Sequence, residues 1–494
     1  MESLATKKPH AIFIPFPAQG HVNPMMQLAK LLHSRGFYIT FVNTEFNHSR
    51  LVQSRGSNSV KDSPFFKFQT IPDGVPPSNP NATQSVTSLL YYTQKHSLAP
   101  LHDLIRKLNS LEDSPPVSVV ISDGIMSFAI EVAEELGIPE FQFWTASSCG
   151  FMAYLQFVEL PKRGIFPLKA NTVIRFTDEN DITNGYLNTL LDWIPGMKNM
   201  RMKDMPSFVR STNPNDIAFN RWLEEAQNNL KSHAIVFNAF SEFEHEVLEA
   251  VTSIFPRIYT VGPLSLLCKS LPENEVNSRR SSLWKESNEC TDWLDKQGPN
   301  SVVYVNFGSI AVMSDKHLEE FAWGLANSGY PFLWIVRSDL VMGESTMLPE
   351  PFVQETKDRC LIASWCPQDQ VLSHPSIGVF LTHIGWNSTL EGVCGGVPMI
   401  CWPFFAEQQV NCRYACTTWG IGVEIEHDVK REQVQDLVSK ILEGEEGKKL
   451  RNKAMDWKKK AEAAVIEGGS SYNNFNLLVE ELLQMSLNHR KQCG

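Results

Sequence analysis

The sequence predicts an α/β fold built from two Rossmann-like domains that face a cleft. Two observations support this prediction. Short, continuously apolar runs, typical of strands covered on both faces, alternate with helical patterns. This series stops and then restarts after Val261-Gly262-Pro263. Such alternation is typical of a parallel sheet wound with helices, and two separate series indicate two such domains.

The first series predicts five strands, at residues 11–16, 38–43, 117–122, 141–144 and 235–237. A helix is predicted between the first two, because apolar residues recur at positions i, i+3, i+4 and i+7: Met25, Leu28, Ala29 and Leu32. Residues 71–82 and 162–212 show no sustained period, and we expect long surface loops there. The polar segment 264–289 is typical of an interdomain linker.

The second series predicts strands at residues 302–306, 332–336, 360–363, 377–382 and 397–401. Residues 448–462 form a charged helical pattern, and an amphipathic pattern follows Gly468-Gly469. We therefore predict an N-terminal domain at 1–260, a linker and second domain at 261–470, and a last helix at 471–494.

Composition excludes several classes of partner. The chain has 494 residues, 43% hydrophobic and 20% charged, with a net charge of −11, so we expect no nucleic acid and no anionic membrane surface as partner. A phosphate-bearing ligand must then be held by local N–H groups. An apolar stretch of about 18 residues is absent, which predicts no membrane span. We expect a monomer that binds small molecules.

The ten cysteines are scattered without the spacing of a disulfide framework, which favours a reducing, cytoplasmic location. Cys412 and Cys416 could share one helix face, but no histidine or acidic residue completes a metal site with them in the sequence. We therefore expect buried structural thiols.

The stretch from Trp365 to Gln408 carries the strongest functional signal. A buried strand is followed by the polar turn 383–388, a short helix and a second strand that leads to Glu407 and Gln408. In such βαβ units ligands bind at the carboxyl ends of the strands, where helix N–H groups suit a phosphate. An aromatic ring for a base and an acid–amide pair for hydroxyls complete the pattern of a nucleotide-sugar site.

This stretch resembles the signature box of the plant secondary-product UDP-glycosyltransferases, and the likeness extends to residues 13–21, 261–263 and 303–309. The resemblance implies the GT-B arrangement of two domains and inverting transfer of a sugar. It also implies that the domain at 1–260 binds the acceptor, that the domain at 261–470 binds the UDP-sugar, and that the last helix crosses back to the first domain. The whole chain is most similar to the subgroup that glucosylates small alcohols such as iridoid aglycones, cyanohydrins and diterpenols.

Two residues of the first series are candidates for catalysis. His21 precedes the first helix, whose N-terminus disfavours the imidazolium form of the ring. Asp123 ends a strand at the predicted ligand edge, where it could orient His21 or cap the next helix. The resemblance implies that His21 is the general base of a His–Asp dyad.

The resemblance also assigns the UDP contacts. Trp365 stacks on uracil, and Gln368 lies near the ribose. Glu391 holds the ribose hydroxyls, although Ser388-x-x-Glu391 could equally be a helix capping box. The diphosphate candidates are Ser309, His383, Asn387 and Ser388. No carboxylate cluster is spaced to hold Mg²⁺, so we expect no metal and no cofactor, with UDP-glucose as co-substrate.

Sugar recognition falls on Trp386, Glu407 and Gln408, with Thr145 from the first domain as a further candidate. This pattern favours glucose. Ile384 stands where the family usually has Cys, and we expect no ligand contact from it. The acceptor pocket candidates, each of which fits an ordinary core position equally well, are Phe128, Trp144, Phe151, Met152 and Phe404.

The predicted function is inverting transfer of glucose from UDP-glucose to a hydroxyl of a small apolar metabolite: a terpenoid or iridoid, a cyanohydrin or a phenol. An NAD(P)-dependent oxidoreductase is one alternative, but it needs Gly-x-Gly-x-x-Gly in the first βα turn, and residues 17–21 contain only one glycine. A non-catalytic nucleotide-sugar binder is the other, and the presence of both His21 and Asp123 argues against it.

Overall fold

The computed structural model describes residues 8–77, 83–168, 186–278, 281–287, 289–337, 339–340 and 348–493. The chain divides into two compact units. The first unit comprises Met1–Phe151, Ile217–Trp284 and Ala463–Gly494. The second comprises Met152–Asp216 and Lys285–Glu462. The domain boundaries expected at residues 260 and 470 remain a prediction.

The first unit contains a seven-stranded sheet in the order β3-β2-β1-β4-β5-β6-β7, with every neighbouring pair parallel. Its strands are β1 His10–Ile14, β2 Tyr38–Thr44, β3 Phe66–Ile71, β4 Val119–Asp123, β5 Glu140–Trp144, β6 Ala234–Phe237 and β7 Ile258–Thr260. From β1 the chain adds β2 and β3 on one side, and from β4 it adds β5, β6 and β7 on the other side. The direction of winding therefore reverses between the adjacent strands β1 and β4. Ligands in open α/β sheets bind at such a switch point.

The second unit contains a six-stranded parallel sheet in the order β10-β9-β8-β11-β12-β13. Its strands are β8 Val302–Asn306, β9 Phe332–Ile335, β10 Cys360–Ala363, β11 Ile377–Thr382, β12 Met399–Cys401 and β13 Gly422–Glu424. Here the winding reverses between β8 and β11. Each unit is therefore a Rossmann-like sheet, and the predicted fold class is confirmed at that level.

The helices alternate with these strands. In the first half of the chain they are α1 Gln19–Ser34, α2 Glu45–Arg55, α3 Val86–His96, α4 Leu98–Asn109, α5 Phe128–Glu135, α6 Ser148–Leu155, α7 Glu159–Lys162, α8 Ile217–Asn229 and α9 His245–Ile254. In the second half they are α10 Leu264–Lys269, α11 Glu289–Leu294, α12 Asp315–Ser328, α13 Glu350–Thr356, α14 Gln368–Leu372, α15 Trp386–Gly395, α16 Gln408–Cys416, α17 Arg431–Glu443, α18 Glu445–Val465 and α19 Ser470–Cys493. No helix among the described residues combines the length and apolarity needed to cross a bilayer.

Each sheet has its own core. In the first unit, β1 and β2 pack against the apolar face of α1, and the core extends to Phe475, Leu478 and Leu482 of α19. In the second unit, β8, β9 and β11 pack against α12 and α17. Buried strands of this kind have no solvent face, which explains why their sequences are continuously apolar rather than alternating.

The ten predicted strands are all present, with shifts of one or two residues at several ends. β3, β7 and β13 were missed. The predicted linker at 264–289 is partly wrong, because Leu264 and Leu267 are buried in α10, which packs in the core with α1. Of the predicted loops, residues 78–82 and 169–185 lie outside the described residues; the described remainder of 162–212 holds the end of α7 and 3-10 turns at Tyr186–Asn188, Met202–Asp204 and Ser207–Val209.

Candidate functional sites in the two units

The carboxyl ends of β1, β4 and β5 place three polar side chains together in the first unit. Because these strands are adjacent and parallel, their ends meet at one sheet edge. His21 lies in the first turn of α1, which follows β1. Asp123 is the last residue of β4, and Thr145 comes directly after β5.

The three side chains are hydrogen-bonded. His21 Nδ1 lies 2.9 Å from Asp123 Oδ2 and 2.7 Å from Thr145 Oγ1. The Thr145 hydroxyl in turn donates to Asp123 Oδ2 at 3.5 Å. One assignment of protons satisfies all three contacts: Nδ1 of His21 carries hydrogen and donates to both oxygens. That tautomer leaves Nε2 unprotonated and able to accept a proton.

Asp123 contacts His21 through Oδ2, as one of its two predicted roles requires, while Oδ1 accepts from the backbone N–H of Ile125 at 3.2 Å. The alternative role as a helix cap is wrong, because α5 begins at Phe128 after Ser127 and the Ile125 contact lies in the preceding turn. The side chain of Asp123 is only 1% exposed, whereas that of His21 is 23% exposed. The carboxylate is thus fixed by the turn behind it, and the imidazole keeps an accessible edge.

A second acidic group lies beneath this site. Glu140 Oε1, on β5, accepts from Ser122 Oγ and from Gln142 Nε2, both at 2.6 Å. Burial raises the pKa of Glu140 to about 8, against the opposing effect of these two donors. Glu140 is therefore protonated at neutral pH.

In the second unit, Gln368 at the start of α14 connects two sheet elements. Its Oε1 accepts from Tyr304 Oη at 2.9 Å and from Asn306 Nδ2 at 2.6 Å, both on β8. Its Nε2 donates to Ser388 Oγ at 3.0 Å and to Glu391 Oε2 at 2.6 Å, both on α15. One side chain thus ties the end of β8 to α15.

The capping-box alternative for Ser388 and Glu391 is wrong. The residue that precedes α15 is Gly385, so Ser388 lies at the third helical position and cannot cap. Glu391 instead faces Gln368. Burial raises the pKa of Glu391 to about 8, with the Gln368 hydrogen bond opposing and Asp369 adding to the shift.

His383 lies between two glycines, just before α15. A Cβ atom on either Gly308 or Gly385 would collide with His383 Nε2, so only glycine allows this close approach. Burial and the neighbouring Arg337 guanidinium lower the pKa of His383 to about 4, which keeps the imidazole neutral at pH 7. A neutral ring can donate one hydrogen bond to a phosphate oxygen.

The turn that holds His383 is strained. Ile384 has a φ of +57° although it is β-branched, a combination that costs about 1–3 kcal/mol. Its carbonyl accepts from Asn411 Nδ2 at 3.1 Å, and its side chain is buried. This agrees with the expectation that Ile384 contacts no ligand through its side chain.

The remaining predicted UDP contacts lie at the same sheet edge. Ser309 is half-buried in the turn after β8. Asn387 is the second residue of α15, where helix N–H groups suit an anion. Trp365 is half-buried two residues after β10, and its carbonyl accepts from the N–H of Ser287 at 2.9 Å.

Glu407 and Gln408 differ in how they are held. Glu407 Oε2 accepts from Tyr154 Oη at 3.2 Å. Burial and the Glu407 charge raise the pKa of Tyr154 well above its ordinary value, so the phenol remains a donor. Gln408 Oε1 accepts from the backbone N–H groups of Phe404 and Phe405 at 2.8 and 3.1 Å. Gln408 thus fixes the turn and has its amide nitrogen left for a ligand.

Trp386 is only 3% exposed, and its ring lies 6.1 Å from that of Trp419. Its indole packs inside the second unit, so a sugar contact from this residue would come from its backbone. Thr145, predicted as a sugar contact, bonds instead to His21.

The acceptor candidates have core environments. The rings of Trp144 and Phe151 lie 4.8 Å apart in the first unit, and Phe128 is buried there as well. Met152 is fully buried, and Phe404 is half-buried with its ring 6.4 Å from Trp402.

Sequence reasoning missed several supporting residues. Tyr304 and Asn306 donate hydrogen bonds to Gln368, and Tyr154 donates one to Glu407. Arg337 Nη1 donates to the Gly308 carbonyl, and Nη2 donates to the Ala311 carbonyl at 2.9 Å. A charged residue directly after a buried strand was the available signal for Arg337. The tyrosines gave none, because each lies in an apolar run.

The chain is similar to known proteins over nearly its whole length. Residues 171–456 match the UDP-glucoronosyl and UDP-glucosyl transferase family, and residues 10–171 match a glycosyltransferase N-terminal domain. A 7-deoxyloganetin glucosyltransferase of Gardenia jasminoides is 55% identical over 97% of this chain and 98% of its own. An (R)-mandelonitrile beta-glucosyltransferase of Prunus dulcis is 53% identical over 98% and 99%. The crystal structure of a UDP-glucose: anthocyanidin 3-O-glucosyltransferase in complex with UDP superimposes with a TM-score of 0.79, at 28% identity, over 97% of this chain and 100% of the other.

Proposed function

Because the chain belongs to the UDP-glucoronosyl and UDP-glucosyl transferase family, we propose that it transfers glucose from UDP-glucose, with inversion, to a hydroxyl of a small apolar metabolite. The observation that carries the catalytic part is the 2.9 Å contact between His21 Nδ1 and the buried Asp123. It fixes the tautomer in which Nε2 is a base.

The reaction is one displacement. His21 Nε2 takes the proton of the acceptor hydroxyl as its oxygen bonds to the anomeric carbon. The bond from that carbon to the diphosphate oxygen breaks, and UDP leaves with the electron pair. Asp123 stabilises the imidazolium that forms, and the product is a β-glucoside. General base catalysis of this kind contributes about 10²–10⁴-fold to the rate.

The second unit holds the donor. The uracil ring stacks on Trp365, and the ribose hydroxyls bind at Glu391, which Gln368 orients. The diphosphate is held by Ser309, His383, Asn387 and Ser388. These groups carry no negative charge at neutral pH, and neutral donors of this kind stabilise the leaving diphosphate as its bond breaks.

Glucose is recognised by Glu407 and Gln408 together with the backbone at Trp386. A carboxylate and an amide that pair with neighbouring hydroxyls reject an epimer, because the epimer leaves buried polar groups unpaired. UDP-glucose should therefore be used far better than UDP-galactose or UDP-glucuronate.

The acceptor is a terpenoid or iridoid, cyanohydrin or phenolic alcohol. Support comes from the two relatives, whose names specify 7-deoxyloganetin and (R)-mandelonitrile. The alternatives considered from the sequence, an oxidoreductase and a non-catalytic binder, are not favoured by family membership. Cytoplasmic location and a monomeric state remain predictions.

The test is an assay of UDP release with and without a panel of these alcohols, with the anomeric configuration of the product read by NMR. We expect acceptor-dependent release, a β-linked product and no change on adding EDTA. Three results would contradict the proposal: UDP release that no acceptor increases, an α-linked product, or complete loss of transfer in EDTA that Mg²⁺ restores.

A further inference from the structure

Three thiols meet in the second unit, away from the residues assigned to UDP. Cys401 is the last residue of β12, and Cys412 and Cys416 lie one helical turn apart on α16. Their sulfur atoms all lie within 4.8 Å of one another. Sequence spacing identified the helical pair, and only the fold brings the strand cysteine to it.

The cluster has the form of a site with one accessible side. Cys401 and Cys412 are buried at 0% and 2% exposure, while Cys416 at the end of α16 is half-buried. Gly422 packs against Cys401 so closely that a Cβ there would lie 2.8 Å from its sulfur. The sulfurs are thus confined on the strand side and reachable at the helix end.

One cation lies on the same helix as two of the thiols. Arg413, between Cys412 and Cys416, lies near Asp204 and donates to the Asn199 carbonyl, so its position is fixed.

The donor set indicates the class of ion. The described residues place no histidine or carboxylate within this group of three sulfurs. Thiolate ligands select soft metals, and hard ions such as Mg²⁺ and Ca²⁺ require oxygen. Three sulfurs at a bond length of about 2.3 Å around one ion are about 4 Å apart, so the side chains need move by less than about 1 Å.

We infer that Cys401, Cys412 and Cys416 form a binding site for one soft, thiophilic d¹⁰ metal ion held by three thiolates. A divalent ion that binds displaces the three thiol protons and leaves a complex with one negative charge beside Arg413. The ion ties β12 to α16. This inference does not depend on the function proposed above.

The test uses the reduced, full-length chain and Cd²⁺ alone as the probe. Titration is followed by the ultraviolet charge-transfer band of cadmium thiolate, with stoichiometry from equilibrium dialysis. We expect one tightly bound Cd²⁺ per chain, with Tm raised by the ion because it binds the folded state. Cys416→Ser should lose the ion and the Tm shift, and its matched control Cys360→Ser, on β10, should retain both.

A second measurement needs no variant. Alkylation of the native wild-type chain, mapped by mass spectrometry, should show that Cd²⁺ protects Cys416, the accessible thiol of the cluster, and leaves the half-buried Cys360 as reactive as before. Binding that survives Cys416→Ser, protection of Cys360 without Cys416, or no bound ion at micromolar Cd²⁺ would overturn the proposal.

Discussion

The two sheet edges carry different kinds of polar site. In the first unit two side chains converge on one imidazole nitrogen, and the arrangement controls where a proton resides. In the second unit Gln368 fixes Glu391, and two close glycines enclose His383. Both groups are neutral at pH 7, since the pKa of His383 is about 4 and that of Glu391 about 8. The first arrangement suits chemistry, and the second suits holding an anion without repelling it.

The largest expected effect is a fall in kcat when the first site is changed. His21→Ala removes the base, and kcat should fall about 10²–10⁴-fold. KM for UDP-glucose should stay within about twofold, because the donor groups belong to the other unit. His33→Ala, a half-buried histidine in the last turn of the same helix, is the matched control and should retain the kcat of wild type. A large rise in KM for UDP-glucose with little change in kcat would contradict this division.

The reciprocal change is Gln368→Leu. It leaves Glu391 and Asn306 without their amide partner, and each unsatisfied buried group costs about 1–3 kcal/mol, so KM for UDP-glucose should rise about 10–100-fold. The value of kcat at saturating donor should change much less. Gln370→Leu, an exposed position on the same helix, should have no effect. Equal effects of the two substitutions would mean that the network does not organise the site.

The acid beneath the first site predicts a pH-dependent stability. Glu140 has a folded pKa of about 8, above the ordinary value of 4.5 expected in the unfolded chain, so its contribution is complete below pH 4.5 and is lost as pH rises to 8. The free energy of unfolding should fall by about 1.4 kcal/mol per pH unit across this window from this group. Glu140→Gln should remove that slope in urea titrations, and the exposed control Glu131→Gln should keep it. An unchanged slope in Glu140→Gln would show that the carboxyl is already ionised.

The smallest expected effect concerns sugar selectivity. Tyr154→Phe removes one hydrogen bond to Glu407, worth about 0.5–1.5 kcal/mol. The ratio of kcat/KM for UDP-glucose over UDP-galactose should fall about 2–10-fold. Tyr330→Phe is the control, since that phenol also faces a carboxylate, Glu443, in the same unit. No change in the ratio, or an equal change in the control, would remove Tyr154 from sugar recognition.

The sequence predicted the central strands better than most edge strands. β8 and β11 were placed at their observed bounds, because strands buried on both faces have uninterrupted apolar sequences. β10 was also placed at its observed bounds, although it is a half-buried edge strand, because its sequence is continuously apolar. β3 and β13 lie at sheet edges, where partial exposure breaks the pattern. The short strand β7 contains the half-buried Ile258 and Tyr259, whose sequence does not differ from that of a loop.

The same contrast holds for the sites. Asp123 ends a strand, and His21 and the residues near α15 lie in the turn or first helical turn that comes next, so chain position indicates where they lie. Tyr154 and Cys401 gave no such signal, because their partners are 253 and 11–15 residues away and depend on tertiary packing. Residue type also misled: the capping-box spacing of Ser388 and Glu391 is present, but the helix begins three residues too early to use it.

A double-mutant cycle on His21 and Asp123 tests the central claim most directly. Asp123→Asn retains the shape of the side chain but favours the wrong imidazole tautomer. If the two act as one unit, the double variant His21→Ala with Asp123→Asn should have a kcat little below that of the less active single variant. Calorimetry should give an unchanged Kd for UDP. Additive losses in kcat, or loss of UDP binding in the properly folded double variant, would contradict the account.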